Sequence, residues 1–153
     1  MVRLRDLDSN FAQYLRDMEM SAPDGTPWAT AVPLAKARVA IISTAGLHRR
    51  SDTRFSVGAG DYRLIPGDVD AADLVMSHVS VNFDRSGFQQ DLNVVFPLAL
   101  LHKLAAAGEI GSVARWHYSF MGATDPARMA ETGSEVGRLL REDGVTAALL
   151  VPV

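Results

Sequence analysis

The chain has four histidines, His48, His78, His102 and His117, and 18 carboxylates, but no cysteine. Proton transfer near neutrality therefore falls to imidazole, and any metal would be held by imidazole and carboxylate alone. Disulfides, thiolate nucleophiles and sulfur-based zinc sites are excluded for the residues as they stand. His78 lies two residues past the segment DLVM. It reads either as a proton carrier that binds a carboxylate when protonated, or as a loop histidine bonded to backbone. Asp84, Asp91 and Asn93 occupy a polar stretch ahead of Pro97. They orient a substrate or partner, or they serve turn and helix-entry chemistry. Ser119 and Gly122, in the string SFMG, can turn backbone amides toward an anion or simply build a tight turn. Gly46, just after RVAIIS, completes the substrate-binding candidates: Gly46, His78, Asp84, Asp91, Asn93, Ser119 and Gly122.

Other groupings carry less. His78, Asp84 and Asp91 could form a His/carboxylate metal set, but no short paired-ligand spacing supports it, and no metal is expected. His48 with Arg49 and Arg50 is a basic cluster, solvated or facing a carboxylate. His102, on a helix flank, and His117, between Trp116 and Tyr118, read as packed residues. Gly58-Ala59-Gly60 is not followed by the helix of a dinucleotide fingerprint, and there is neither a G-x-x-x-x-G-K-[ST] loop nor a G-x-S-x-G elbow.

These residues need elements to hold them. Leu4, Leu7, Phe11, Tyr14, Leu15 and Met18 recur at spacings of three and four, predicting an amphipathic docking helix over residues 1–22. Pro23, Asp24, Gly25 and Pro27 then break the pattern, with Trp28 expected to anchor the turn. Residues 28–153 read as one α/β domain. Arg38 to Ser43 (RVAIIS) is a buried strand, Asp61 to Ile65 and Asp73 to Met76 are short extended pieces, and Val113 to Tyr118 and Val145 to Val151 are further strands. A helix is expected from about Pro97 to Ala107, ended by Gly108. A second opens at Asp125-Pro126, buries Met129, Gly133, Val136 and Leu140, and stops at Gly144. Asn82 to Asn93 reads as irregular. Strands alternating with helices predict a mostly parallel, Rossmann-like sheet flanked by helices, with ligands beyond the carboxyl ends of its strands.

Composition sets the outer bounds. The 153 residues, 48% hydrophobic and 22% charged, match a single globular domain. A net charge of −3 gives no basic surface for phosphate backbones, so nucleic acid is not an expected partner. No apolar run approaches the ~20 residues of a membrane span, and the first eight residues are charged rather than signal-like, so the expected location is cytoplasmic.

The segments DLNVVFPLALLHKLAAAGEIG (Asp91 to Gly111), SFMG (Ser119 to Gly122) and REDGVTAALLVPV (Arg141 to Val153), with YRLIPGD (Tyr62 to Asp68) upstream, resemble the selenoprotein B family of glycine, sarcosine, betaine and D-proline reductases. The resemblance runs from about Trp28 onward. It implies an oxidoreductase that reductively cleaves the C–N bond α to a carboxylate. It also implies a pyruvoyl group on a partner subunit, a thioredoxin-type dithiol as electron donor, and no cofactor in this chain. In the family the last strand is followed at once by selenocysteine or cysteine. A selenol is ionised at neutral pH, whereas a thiol with pKa near ~8.5 mostly is not.

The nucleophile is therefore expected immediately after Val153, and a UGA read as a stop would leave the sequence in this form, inactive as written. If later strands normally cover AALLVPV, the chain should leave apolar surface exposed and associate with itself. Two other readings stay open: a complete non-redox α/β module that binds a small anionic ligand or a partner protein, and a metal-dependent hydrolase using His78.

Overall fold

The computed structural model describes residues 3–18, 25, 29–80 and 85–153. The chain divides into two compact units, Met1–Thr30 and Ala31–Val153. In the first, a 3₁₀ turn at Leu4–Asp6 precedes helix α1 (Ser9–Asp17). Leu7 is extended, and the Asp8 side chain accepts from the backbone N–H of Asn10 and Phe11, so the helix starts there rather than at Leu4. Leu4, Phe11, Tyr14 and Met18 are exposed, with the Phe11 and Tyr14 rings stacked 6.3 Å apart, so the expected docking role is not assigned to this helix. Trp28, Pro23, Asp24 and Pro27 lie outside the described residues.

The second unit is built on strand β1 (Arg38–Ser43). Val39, Ala40, Ile41 and Ser43 are buried on both its faces, as a central strand of β-branched and small residues requires. One edge of β1 pairs in parallel with β7 (Ala147–Val151) from Val39↔Ala147 to Ser43↔Val151. Its other edge pairs in parallel first with β5 (Ser112–Val113) and then with β6 (Trp116–Phe120), through Ser43↔Ser119. β3 (Tyr62–Pro66) lies beyond β6 and runs antiparallel to it.

The sheet is therefore mixed, which corrects the expected mostly parallel, Rossmann-like arrangement. The cause is the connection: no helix lies among the residues between β1 and β3, and a parallel neighbour needs a crossover. β2 (Leu47–Arg49), which holds His48 and Arg49 of the basic cluster, pairs antiparallel with β4 (Leu74–Met76) in a separate ribbon. A five-residue helix α2 (Ser86–Gln90) also forms within the stretch read as irregular.

Alternation along the strands separates two apolar clusters, one on each face of the sheet. Val39 and Ile41 of β1 pack with Ile65, Phe96, and Leu98 and Leu101 of α3 (Leu98–Ala106). Tyr118 and Phe120 of β6 pack with Val136 of α4 (Ala130–Glu142), with Leu139 and Leu140 beside them. The Asp125 side chain caps the 3₁₀ turn Pro126–Met129 that leads into α4, and Gly144, at φ 68°, follows its end. Gly133, expected in the buried stripe of α4, is exposed; Val136 is the buried residue of that helix.

The interval between β5 and β6 interrupts the ladder beside β1, and side chains repair it. The Ile41 N–H donates to His117 Nδ1 at 2.9 Å, which places the ring proton on Nε2. Burial, with the His102 and Arg38 charges, lowers the His117 pKa to about 4. Asp143 accepts from the N–H groups of Arg115 (2.8 Å) and Trp116 (3.3 Å) and pairs with Arg38 at 2.6 Å. Burial pushes its carboxyl up, but the Arg38 guanidinium and the two backbone donors outweigh this and hold it low. No helix among the described residues is long and apolar enough to cross a membrane.

Candidate functional site

β1, β6 and β7 run parallel, so their carboxyl ends meet at one rim of the sheet. Ser43, the last residue of β1, is fully buried, and its Oγ donates to the Val95 carbonyl at 2.8 Å. Thr44 follows. Its N–H donates to Val151 O (3.1 Å), its carbonyl accepts from Gly122 N (2.8 Å), and its hydroxyl accepts from Val153 N (2.8 Å) and donates to Val153 O (3.2 Å). Gly46 is left-handed at φ 64°, and a Cβ there would stand 3.1 Å from His78 N and 3.2 Å from Met121 Cε. Its N–H donates to Phe120 O and its carbonyl accepts from Ser77 N. These bonds carry the chain from β1 to β2 and bring the end of β4 against the same rim.

His78, two residues beyond β4, is buried at this rim with 6% exposure. Its Nδ1 accepts from the Ser80 N–H at 3.2 Å, which leaves the proton on Nε2. Arg85 Nη2 donates to the carbonyls of His78 (2.6 Å) and Ser80 (3.0 Å). Burial first and the Arg85 charge second push the His78 pKa below its ordinary value, against an opposing hydrogen bond with the Val153 main chain. Burial thus favours the uncharged ring at this rim. That arrangement can hold or deliver a proton beside whatever stands at the strand tip.

Of the residues singled out in the sequence, Gly46, His78, Ser119 and Gly122 converge on this rim. The Ser119 hydroxyl accepts from Leu47 N at 2.8 Å and so supports the turn rather than facing outward. Asp91 and Asn93 lie apart from it. Asp91 accepts from both the N–H and the side-chain amide of Asn93, caps the turn Leu92–Val94, and is held below the usual carboxylate range by those bonds. Asn93 lines a separate cavity of about 290 Å³ with Gly67, Leu74, Phe96, Leu98 and His102. Asp84 lies outside the described residues. Among the described residues no group of three His, Asp or Glu side chains gathers as a metal site would require.

Of the remaining histidines, His48 and His117 are buried and His102 is exposed. His48, expected in a solvated basic cluster, is buried within β2 with Nδ1 2.7 Å from the Arg49 carbonyl, and Arg49 pairs with Asp52. His102 Nε2 lies 2.7 Å from Gly67 O. Two rim residues escaped the sequence reading. Thr44 had a usable signal, being the first residue past a buried strand. Arg85 had none, since its place follows from the fold of the loop after β4.

Fold and rim together define an α/β protein with a mixed sheet whose parallel strand ends converge on a neutral histidine. A family model for glycine/sarcosine/betaine reductase selenoprotein B matches residues 7–153. Among curated proteins, the D-proline reductase subunit gamma of Acetoanaerobium sticklandii is 38% identical over 116 residues, covering 73% of this chain and 47% of that protein. The chain belongs to the glycine/sarcosine/betaine reductase selenoprotein B family. It spans about half the length of the curated relative it matches. No solved structure matches it.

Proposed function

We propose that this chain is the scaffold of a selenoprotein-B-type reductase component, acting in reductive cleavage of the C–N bond of an amino acid or betaine-like substrate of the glycine, sarcosine, betaine or D-proline class. Family membership supports the reaction class, and the geometry of the rim supports its location. The observation that carries the reading is the end of β7, where the Val153 N–H donates to the Thr44 hydroxyl at the rim that buries His78. A selenocysteine or cysteine at the position following Val153 would supply the anionic nucleophile, and a partner subunit's pyruvoyl group would hold the substrate amine. A thioredoxin-type dithiol would supply the two electrons that the cleavage consumes.

Within this reading the chain's own residues position and protonate. His78 would act as a proton carrier at the rim, where a departing amine requires a proton. Gly46 and Gly122 keep side chains out of the cleft, and Ser119 fixes its floor. The working protein would be cytoplasmic and assembled from several subunits.

The coding DNA gives a direct test. The reading expects a TGA triplet after the Val153 codon, followed in frame by a coding stretch that contains cysteine. A different stop codon, or no open frame beyond it, would overturn the reading and favour a non-redox module that binds a small anion or a partner protein.

A further inference from the structure

Resting on that reading, we propose that Thr44 and Gly122 form a positioning clamp that aims the residue following Val153 at His78. Pairing between β1 and β7 ends at Ser43↔Val151. The next residue, Pro152, has no N–H and cannot extend the ladder. Without another restraint the chain would be free to fan away from the sheet beyond Val151. The Thr44 hydroxyl takes over where the ladder stops, bonding both the N–H and the carbonyl of Val153. Its backbone N–H and carbonyl hold Val151 and Gly122. The N–H and hydroxyl of Thr44 are therefore spent on this strand end, and its carbonyl ties Gly122 beside it.

Gly122 is the other jaw. A Cβ at this position would collide with the Val153 carbonyl and stand only 2.9 Å from Thr44 O and 3.0 Å from Thr44 Oγ1. Both oxygens nearest it are backbone atoms, which cannot swing aside as the end of a long side chain would. His78 stands at the same rim, its main-chain N 3.1 Å from where a Cβ on Gly46 would lie. The next residue thus leaves from a carbonyl held by Thr44 and by the close approach at Gly122. Held geometry of this kind raises the effective concentration of one group at another by orders of magnitude.

The absence of cysteine makes the clamp measurable on this chain. A single cysteine appended after Val153, combined with His78→Cys, gives a protein with two thiols, whose rate of disulfide closure in oxidised glutathione, which takes the two electrons and leaves as two reduced thiols, reports how well the strand end is aimed. Closure should be fast and independent of protein concentration. Thr44→Val and Gly122→Ala should each slow it by about tenfold or more, while Thr44→Ser, which keeps the hydroxyl, should stay within about twofold. Far-UV circular dichroism would show that the variants remain folded. Closure in Thr44→Val as fast as in the parent pair, or a parent pair that closes only between molecules, would overturn the clamp. The reductase reading is decided separately, by the coding sequence beyond Val153.

Discussion

His117 bonds Ile41 only while its Nδ1 is unprotonated, so an excess proton on the ring costs the fold a buried hydrogen bond and places a charge in the apolar interior beside Phe96. Its folded pKa, about 4, lies below the unfolded value of 6.5. The sign follows from linkage. The unfolded chain binds a proton that the folded chain refuses, so the stabilisation is complete above pH 6.5 and drains away as pH falls toward 4. Its size is roughly 3 kcal/mol. Urea midpoints measured between pH 7.5 and 4 should fall accordingly. In His117→Leu that part of the slope should disappear, and the variant should be destabilised at neutral pH by about 1–3 kcal/mol because Ile41 N–H is left orphaned. A slope unchanged by His117→Leu would show that other groups carry the acid sensitivity.

Among elements, those with long, periodic or β-branched signals were legible in the sequence, and those made by their neighbours were not. β1, β7, α3 and α4 carry their own apolar patterns, with a proline opening and a glycine stop around α4. β2 spans three residues and includes His48 and Arg49, so nothing local distinguishes it from a loop; it is a strand because β4 lies beside it. The direction of β3 was hidden as well, since it depends on the absence of a crossover. The site was legible in part for the same reason: Gly46, His78 and Gly122 follow strand ends, whereas Arg85 reaches the rim through a loop path that no pattern encodes.

Asp143 shows how such a join is held. Asp143→Ala removes the Arg38 partner and two backbone acceptor contacts at once, and should cost on the order of 3 kcal/mol by urea titration. A cost below about 0.5 kcal/mol would mean that the break between β5 and β6 needs no such support. Gly144→Ala, which forces a Cβ into the left-handed region, should cost about 1 kcal/mol by the same measurement.

At the scale of the whole molecule, β7 is an outer strand that, among the described residues, pairs with β1 alone. Leu149 and Leu150 point to opposite faces and are 39% and 67% exposed. An apolar strand with an open edge is a template for further pairing. The apparent mass of the 153-residue chain in light scattering should therefore rise with concentration, and Leu150→Lys should suppress the rise. A single monomer mass at all concentrations would show that this edge is not adhesive.

The central claim is that the convergent strand ends present a nucleophile to an amine-bearing carboxylate. The most direct measurement uses the chain extended past Val153 by selenocysteine or cysteine, combined with a pyruvoyl-bearing subunit of the kind proposed above, and follows dithiol oxidation on addition of glycine, sarcosine, betaine or D-proline. Oxidation driven by one of these, and abolished when the residue following Val153 is replaced by serine, is the result predicted. Oxidation that survives that replacement, or its absence with all four compounds, would contradict the account.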